Sequence, residues 1–508
     1  MIRALRDLPM PKHDSTTAGI SAIYAALFSI IGFISVALFY ADLFFSIWVS
    51  VSILLGVSFF VLRQYRKKRL GLLMCVFWLI YALPFIHIPP YIWFDFGSEP
   101  LLLWGLAVNP YMVDERVIQL TAMIGAVGGL GFALGCSFSN KGIQKDNGKH
   151  PDGTLRIFQT MGMPVWLAWV CIGVLLTALS APQETVFTSV YTESASALDG
   201  ANFSSAWMVS YVILSFTFCD ALLERATDTK RLKLILTTAS VLLVVVWYQL
   251  LRGDRESMPW VLGLALVYYY WAAGIIQRRG FTIPWHKIAA IVFALFMVTM
   301  VVGVLRSGLV GVSASEVMGL ILVLYQSDTI GLNNVFTGTW SAVLLTPLSV
   351  AGDHIYGLLN LKWGRHYLEL LLSIIPGFMA DAIGYVRPID GNQGPAWDMR
   401  YGIGGTHASV LPFINFSMLG VFLITTLWSW FYASVEKSTL RRINVLKLSF
   451  LVTFTMAAPH WLWYGEKNAI NAMVMWLVFS FLYRVSLGIS RAPKYRMDSS
   501  IKSGCVNV

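Results

Sequence analysis

The amino-acid sequence predicts an all-α polytopic membrane protein of about twelve transmembrane helices, and three observations predict it. Of the 508 residues, 57% are hydrophobic and only 13% are charged, whereas an ordinary soluble chain is about a quarter charged; the mean hydropathy is +0.66. Apolar runs of roughly 18–22 residues, each long enough to cross a bilayer as a helix, recur from one end of the chain to the other. The connections between these runs alternate in basic content, as they do in a chain oriented across a bilayer. In lipid every backbone N–H and C=O must be paired within its own segment, so the spans are helices.

The runs place spans at about 18–41, 43–62, 70–88, 117–137, 164–181, 204–223, 233–251, 258–276, 288–305, 411–432, 448–465 and 469–488. Arg3, Arg6 and Lys12 precede the first run. That run is too long for a signal-peptide core, which makes it an uncleaved span. The second follows so closely that the two form a tight hairpin. One set of connections comprises the N-terminus, "RQYRKKR" (63–69), 138–163, "RATDTKRLK" (225–233), "QRRGFTIPWHK" (277–287), 433–447 and the C-terminal tail. Counting Arg484 with the tail, this set holds 28 of the 37 lysines and arginines. An excess of Lys and Arg marks the cytoplasmic side, so both termini are cytoplasmic, as an even number of spans requires. Residues 1–508 read as a single integral membrane domain. The net charge of +10 is distributed over short loops beside apolar runs, which argues against nucleic acid as a partner.

Cys75, Cys136, Cys171 and Cys219 lie in apolar runs and Cys505 in the tail. None is at CxxC spacing, so neither a zinc site nor a disulfide framework is predicted. "HASV" and "GRHY" offer no second His or Cys at ligand spacing, and no phosphate-binding "GxxxxGK[ST]" is present. No cofactor is expected.

The outer side carries two unusual connections. The turn "RGDRES" (252–257) sets Arg252, Asp254, Arg255 and Glu256 between spans seven and eight, against the charge bias. Residues 306–410 form one large outer loop, only partly polar. Within it "VMGLILVLY" and "YLELLLSIIPGFM" are too short to span and suit short helices lying in the interface or re-entrant pieces shielded by protein; 336–352 has the alternative of being half of a broken hairpin. Aromatic stretches, "PPYIWFDF" (89–96) and "HWLWYG" (460–465), fit the headgroup belt and equally fit platforms for sugar rings.

The candidate functional residues are concentrated on this side: Arg252, Arg255, Arg306, Arg365, Arg387 and Arg400, with His354, His366 and His407. Guanidinium keeps its charge and offers paired parallel donors, the geometry that phosphate accepts. Several arginines at headgroup depth therefore point to a phosphorylated or carboxylated lipid ligand. Asp254 and Glu256 either balance the arginines or supply a base. Few charges fall near the middle of the spans, which counts against an ion-coupled transporter.

Three stretches taken in order, "LRGDRESMPWVLGLAL" (251–266), "GRHYLELLLSIIPGFMADAIGYVRPIDG" (364–391) and "YGIGGTHASVLPFINFSMLGVFLI" (401–424), resemble the Wzy-type polymerases of bacterial oligosaccharide repeat units. That family shows a glycine-arginine turn before an apolar run. An outer segment with an "IP" step and a Gly-rich His/Ser turn follows, and then an "NFG"-like start to the next span. Here the last reads Asn415-Phe416-Ser417, with Ser where Gly is common. The resemblance covers roughly residues 250–425. It implies a glycosyltransferase of the bacterial inner membrane with its active site facing the periplasm. Such an enzyme joins a growing glycan on undecaprenyl diphosphate to the sugar of an incoming lipid-linked repeat, without a metal. Its partners would be the undecaprenyl-diphosphate-linked oligosaccharide, membrane lipid and a chain-length regulator protein. The resemblance carries substrate binding onto Arg252, Arg306, Arg365, Arg387 and Arg400, and catalysis onto Arg255 and His407; the acceptor's proton calls for a base, with His407 first as base or acceptor-orienting group and Glu256 or Asp254 as alternatives. The alternatives are an O-antigen ligase and a lipid-linked glycan flippase or transporter.

Overall fold

The structure, a computed structural model, describes residues 16–67, 69–93, 114–140, 157–180, 206–227, 232–245, 257–271, 332–372, 375, 382–384, 407–441, 443–464, 467–490 and 494–496. Among these residues the chain is helical apart from one small antiparallel pair, β1 (Ile157–Gln159) with β2 (Lys494–Arg496). The helices are α1 (Thr16–Tyr40), α2 (Ile47–Arg66), α3 (Leu72–Trp93), α4 (Glu115–Asn140), α5 (Met163–Ser180), α6 (Ala206–Thr227), α7 (Leu232–Val244) and α8 (Ser257–Trp271). They continue with α9 (Leu332–Ile355), α10 (Arg365–Leu372), α11 (Val410–Arg441), α12 (Val445–Tyr464) and α13 (Lys467–Ile489). Among the described residues five stretches are long and apolar enough to cross a membrane: Gly19–Tyr40, Ile47–Arg66, Glu115–Ser139, Val410–Thr439 and Ala469–Ile489. The expected ninth span, 288–305, lies outside the described residues.

The expected tight hairpin between the first two runs is present. Asp42 takes a left-handed φ of 56°, Leu43 N–H donates to Leu38 C=O at 2.8 Å, and Ser46 caps α2 by accepting from Val49 N–H at 3.4 Å. On α1, Ile23, Leu27, Ile30 and Ile34 are exposed. Spaced three and four apart, they form one apolar stripe with no protein over it. A stripe of this kind is a liability in water and an ordinary lipid-facing surface in a bilayer.

The centre of the fold is the pair α4–α11, the most extensive helix contact of the described structure. It is made by small residues. A Cβ added to Gly131 would overlap the Phe422 carbonyl oxygen, and one added to Gly135 would overlap the Thr426 carbonyl and the Ser429 hydroxyl. Glycines one turn apart let the two backbones approach to a distance that side chains forbid, and this is how helices without a hydrophobic driving force associate in lipid. Helices α1, α2, α3 and α9 pack around α4, while α8, α12, α13, α6 and α5 continue the bundle on the other side.

The start of α3 is capped from a distant part of the chain. Glu436, fully buried in the last quarter of α11, accepts from Gly71 N–H at 3.1 Å and Leu73 N–H at 2.8 Å. The first N–H groups of a helix have no partner within it and carry partial positive charge, so a buried carboxylate there satisfies two needs at once.

Within the segment 306–410, where the sequence offers 336–352 as half of a broken hairpin beside short interfacial helices, α9 is one helix of 24 residues. Its Val343, Leu344, Leu348, Val350 and Ala351 are buried in the bundle. Asn333, Asn334, Thr337, Asp353 and an internal Pro347 lower its hydropathy below that of an ordinary span, which kept it out of the run of twelve.

Candidate functional site

The helix α11 does not run unbroken. At Phe416 (φ −135°, ψ 16°) and Ser417 (φ 58°, ψ −151°) the backbone leaves the helical region. The Ser417 conformation is one that essentially only glycine adopts without strain, and a residue with a Cβ held there costs about 1–3 kcal/mol. Ser417 is also 2% exposed, and its hydroxyl has no hydrogen-bond partner among the described residues.

The break opens a docking place for the loop before α10. Lys362 N–H donates to Ile414 C=O and Trp363 N–H to Asn415 C=O, both at 3.0 Å. The Asn415 side-chain oxygen accepts from Gly364 N–H at 3.1 Å and His366 N–H at 3.4 Å, while its amide donates to Leu411 C=O at 2.9 Å. Gly364 has a φ of 86°, and a Cβ there would press on the Phe416 ring at 3.1 Å, so both backbone and space call for glycine. Tyr367 stacks on Phe416, with ring centroids 6.0 Å apart. Asn415 thus joins "GRHY" to "NFS", two stretches 51 residues apart.

Relief of the Ser417 strain is measurable. Ser417→Gly removes an orphaned hydroxyl and an unfavourable φ, each about 1–3 kcal/mol, against a glycine entropy cost of about 0.5–1 kcal/mol. The expected outcome is a variant more stable by roughly 1–2 kcal/mol, read as a raised melting temperature in detergent. An unchanged or lowered melting temperature refutes the strain argument.

Of the residues given a binding or catalytic role above, the structure describes two, Arg365 and His407. Arg365 begins α10. Its Nε donates to Glu369 Oε1 at 2.8 Å, and its side chain remains 72% exposed. His407 is fully buried just before α11. Its Nδ1 accepts from Ser409 N–H at 3.2 Å and lies 2.9 Å from the Ser409 hydroxyl. Its Nε2 lies 3.2 Å from Tyr81 C=O. A carbonyl can only accept, so this network selects the neutral Nε2–H tautomer. Burial pushes the imidazole down to about 3, partly countered by the Tyr81 bond. The ring stands edge-on to Tyr81 and Phe85, 4.8 and 4.6 Å between centroids. A general base needs an accepting nitrogen within reach of the substrate proton. In this conformation the accepting nitrogen of His407 is engaged by Ser409, and the ring ties the start of α11 to α3. Arg252, Asp254, Arg255, Glu256, Arg306, Arg387 and Arg400 lie outside the described residues.

His366 faces inward beside Asn415, 3.4 Å from its amide, and burial lowers its pKa, partly countered by Glu369. His354 packs between Phe39 and Phe413. At the same end of the bundle Tyr356 donates to Asp114 at 2.6 Å, a bond that holds the Asp114 carboxyl below its usual range.

A second polar cluster sits at the opposite end. The Lys233 ammonium pairs with the Glu224 carboxylate, lies 3.6 Å from Asp220 Oδ2 and donates to Met161 C=O at 2.6 Å. Asp220 Oδ1 accepts from Tyr483 OH at 2.6 Å and Met161 N–H at 3.0 Å. The sequence reading counted Lys233 as a loop cation and gave Asp220 no role. The signal was an Asp and a Glu four apart on one helix face, with a lysine opening the next helix. Lys233, Thr237, Val241 and Val244 are the buried stripe of α7, so this ion cluster anchors the helix that runs toward the "RGDRES" turn. Among the described residues no group of three His, Cys, Asp or Glu is placed to hold a metal ion.

Comparison with known proteins returned no matching protein-family model, curated protein or solved structure.

Proposed function

We propose that this chain is a membrane glycosyltransferase that polymerises undecaprenyl-diphosphate-linked oligosaccharide repeat units on the periplasmic face of a bacterial inner membrane, with about twelve spans and both termini cytoplasmic. The observation that carries the reading is the junction at Asn415. Two of the stretches on which the resemblance rests are hydrogen-bonded to one another there. The position where the family commonly has glycine is also the one whose backbone demands it.

The chemistry follows from the leaving group. A diphosphate departs readily once its developing charge is met by fixed cationic donors, most effectively where water is excluded. Arg252, Arg255, Arg306, Arg387 and Arg400 supply guanidinium on one side of the chain, and no metal enters the step; Arg365, paired with Glu369 and turned outward, is left out of the clamp. For the acceptor proton the polar turn offers Glu256 and Asp254. His407, with its ring engaged by Ser409 and Tyr81, serves in this reading as the residue that positions the start of α11.

Deletion in the source bacterium, with surface polysaccharide resolved on a gel, tests the reading. A ladder collapsed to core carrying a single repeat identifies the polymerase. Loss of all repeats with long lipid-linked polymer retained identifies a ligase, and single repeats held at the cytoplasmic face identify a flippase; either refutes the proposal. In the complemented strain, Arg255→Ala lowers polymer formation by about 10²–10³-fold, the effect of removing one charge-stabilising donor, at unchanged protein level. Long-chain product from that variant rules out a clamp at Arg255.

A further inference from the structure

The segment from the end of α9 to α10 presents apolar side chains outward where a soluble protein would bury them. Trp363 is 76% exposed, Leu368 59% and Leu371 58%. Arg365, Leu368 and Leu371 recur every third residue and share one face of α10, while His366 and Leu370 on the other face are buried. Trp363 also has a φ of 48°, an outlier for a bulky residue. The pairing of its N–H with Asn415 C=O holds the backbone in that conformation. Strain kept at an exposed tryptophan is strain spent on pointing it outward.

The depth of the segment follows from its partner. Lys362 and Trp363 pair with Ile414 and Asn415, four and five residues inside α11. At 1.5 Å per residue this lies roughly 6–8 Å below the end of that helix, the level at which lipid headgroups meet acyl chains around a spanning helix. Tryptophan favours this level, leucine the acyl side of it, and Lys and Arg the phosphates just above. Lys362 and Arg365 flank Trp363, and the Arg365 side chain is largely exposed.

We propose that residues 362–372 form a membrane-interface anchor: Trp363, Leu368 and Leu371 enter the outer part of the bilayer, and Lys362 and Arg365 bind glycerophospholipid phosphates. This inference rests on the membrane reading alone and stands whether or not the chain transfers glycans.

The test uses the full chain labelled with fluorotryptophan in nanodiscs of phosphatidylcholine and phosphatidylglycerol. Fluorine NMR gives one resonance for each of the 19 tryptophans, and Trp363→Phe identifies that of Trp363; Trp363→Tyr removes the same resonance if the first variant does not accumulate. Lipid carrying a nitroxide near the headgroup should abolish the Trp363 signal, while a water-soluble gadolinium chelate leaves it. Replacing phosphatidylglycerol by phosphatidylcholine should shift the resonance, and Lys362→Gln with Arg365→Gln should remove that shift. A signal abolished by gadolinium and spared by the lipid nitroxide places Trp363 in water and overturns the proposal. A signal spared by both places it under a second copy or another protein, and overturns it equally.

Discussion

Gly131→Val leaves little folded protein. The added Cβ falls on the Phe422 carbonyl oxygen, an atom of helix backbone that has no rotamer to escape into. The only relief is to push α4 and α11 apart, which loosens the largest helix contact in the described structure. Overpacking of a tight interior costs about 1–3 kcal/mol and more where backbone must move; the expected loss here is at the upper end. Gly56→Ala is the control. It too replaces a glycine inside an apolar helix, but nothing lies within 4 Å of its Cβ, so removal of glycine entropy stabilises it by about 0.5–1 kcal/mol. Size-exclusion profiles and melting temperatures of the two purified variants decide the matter. Equal behaviour shows that the α4–α11 approach is not as close as described.

Lys233→Met is the second large effect. It leaves Asp220, with no exposed side-chain surface, and Glu224, 14% exposed, without their cation. Removing one partner of a buried ion pair costs about 3–5 kcal/mol, because the remaining charge is neither solvated nor compensated. Met itself packs well, so the loss reports charge rather than volume. The triple variant Lys233→Met, Asp220→Asn, Glu224→Gln removes the stranded charges and recovers most of the stability. Melting temperatures of wild type, single and triple variants form the test. A single variant as stable as wild type means that the cluster is solvated and does not anchor α7.

Much of this architecture was readable in the order of residues. Apolar runs of bilayer length fall on eleven of the described helices and locate their starts to within about four residues, because helix is the only open-ended structure whose backbone is satisfied inside lipid; the ends are set by packing and differ by up to nine, as at α11. Two kinds of feature were less readable. Helix α9 was legible only as the alternative of a half-hairpin over 336–352, because hydropathy averages over a window, and Asn333, Thr337, Pro347 and Asp353 dilute the apolar residues that the bundle buries. The partners of the polar groups were hidden because they are set by tertiary distance: nothing in "THASV" says that its histidine meets a carbonyl 326 residues earlier. At Ser417 the legible part and the hidden part meet. The sequence shows only a serine in a place where glycine is common, and the backbone angles supply the reason. The polar turn from Arg252 to Glu256 owes its place in the functional reading to charge and spacing.

The cap on α3 sets a schedule for assembly. The Gly71 amide is synthesised 365 residues before the carboxylate that accepts it. At about 5–20 residues per second, that amide waits roughly 20–70 s for its partner while α3 already sits in or beside the membrane. Through this interval the N-terminal third is an incomplete object, with a helix end exposed, Gly131 and Gly135 of α4 lacking the α11 backbone they face and His407 not yet made. A ribosome stalled before residue 436 therefore releases a chain that cannot close, and such chains are the natural substrate of membrane proteolysis. The late helix α11 acts as a keystone in time as well as in space: its arrival closes α3 and α4 and, of the described helices, leaves only α12 and α13 to be added.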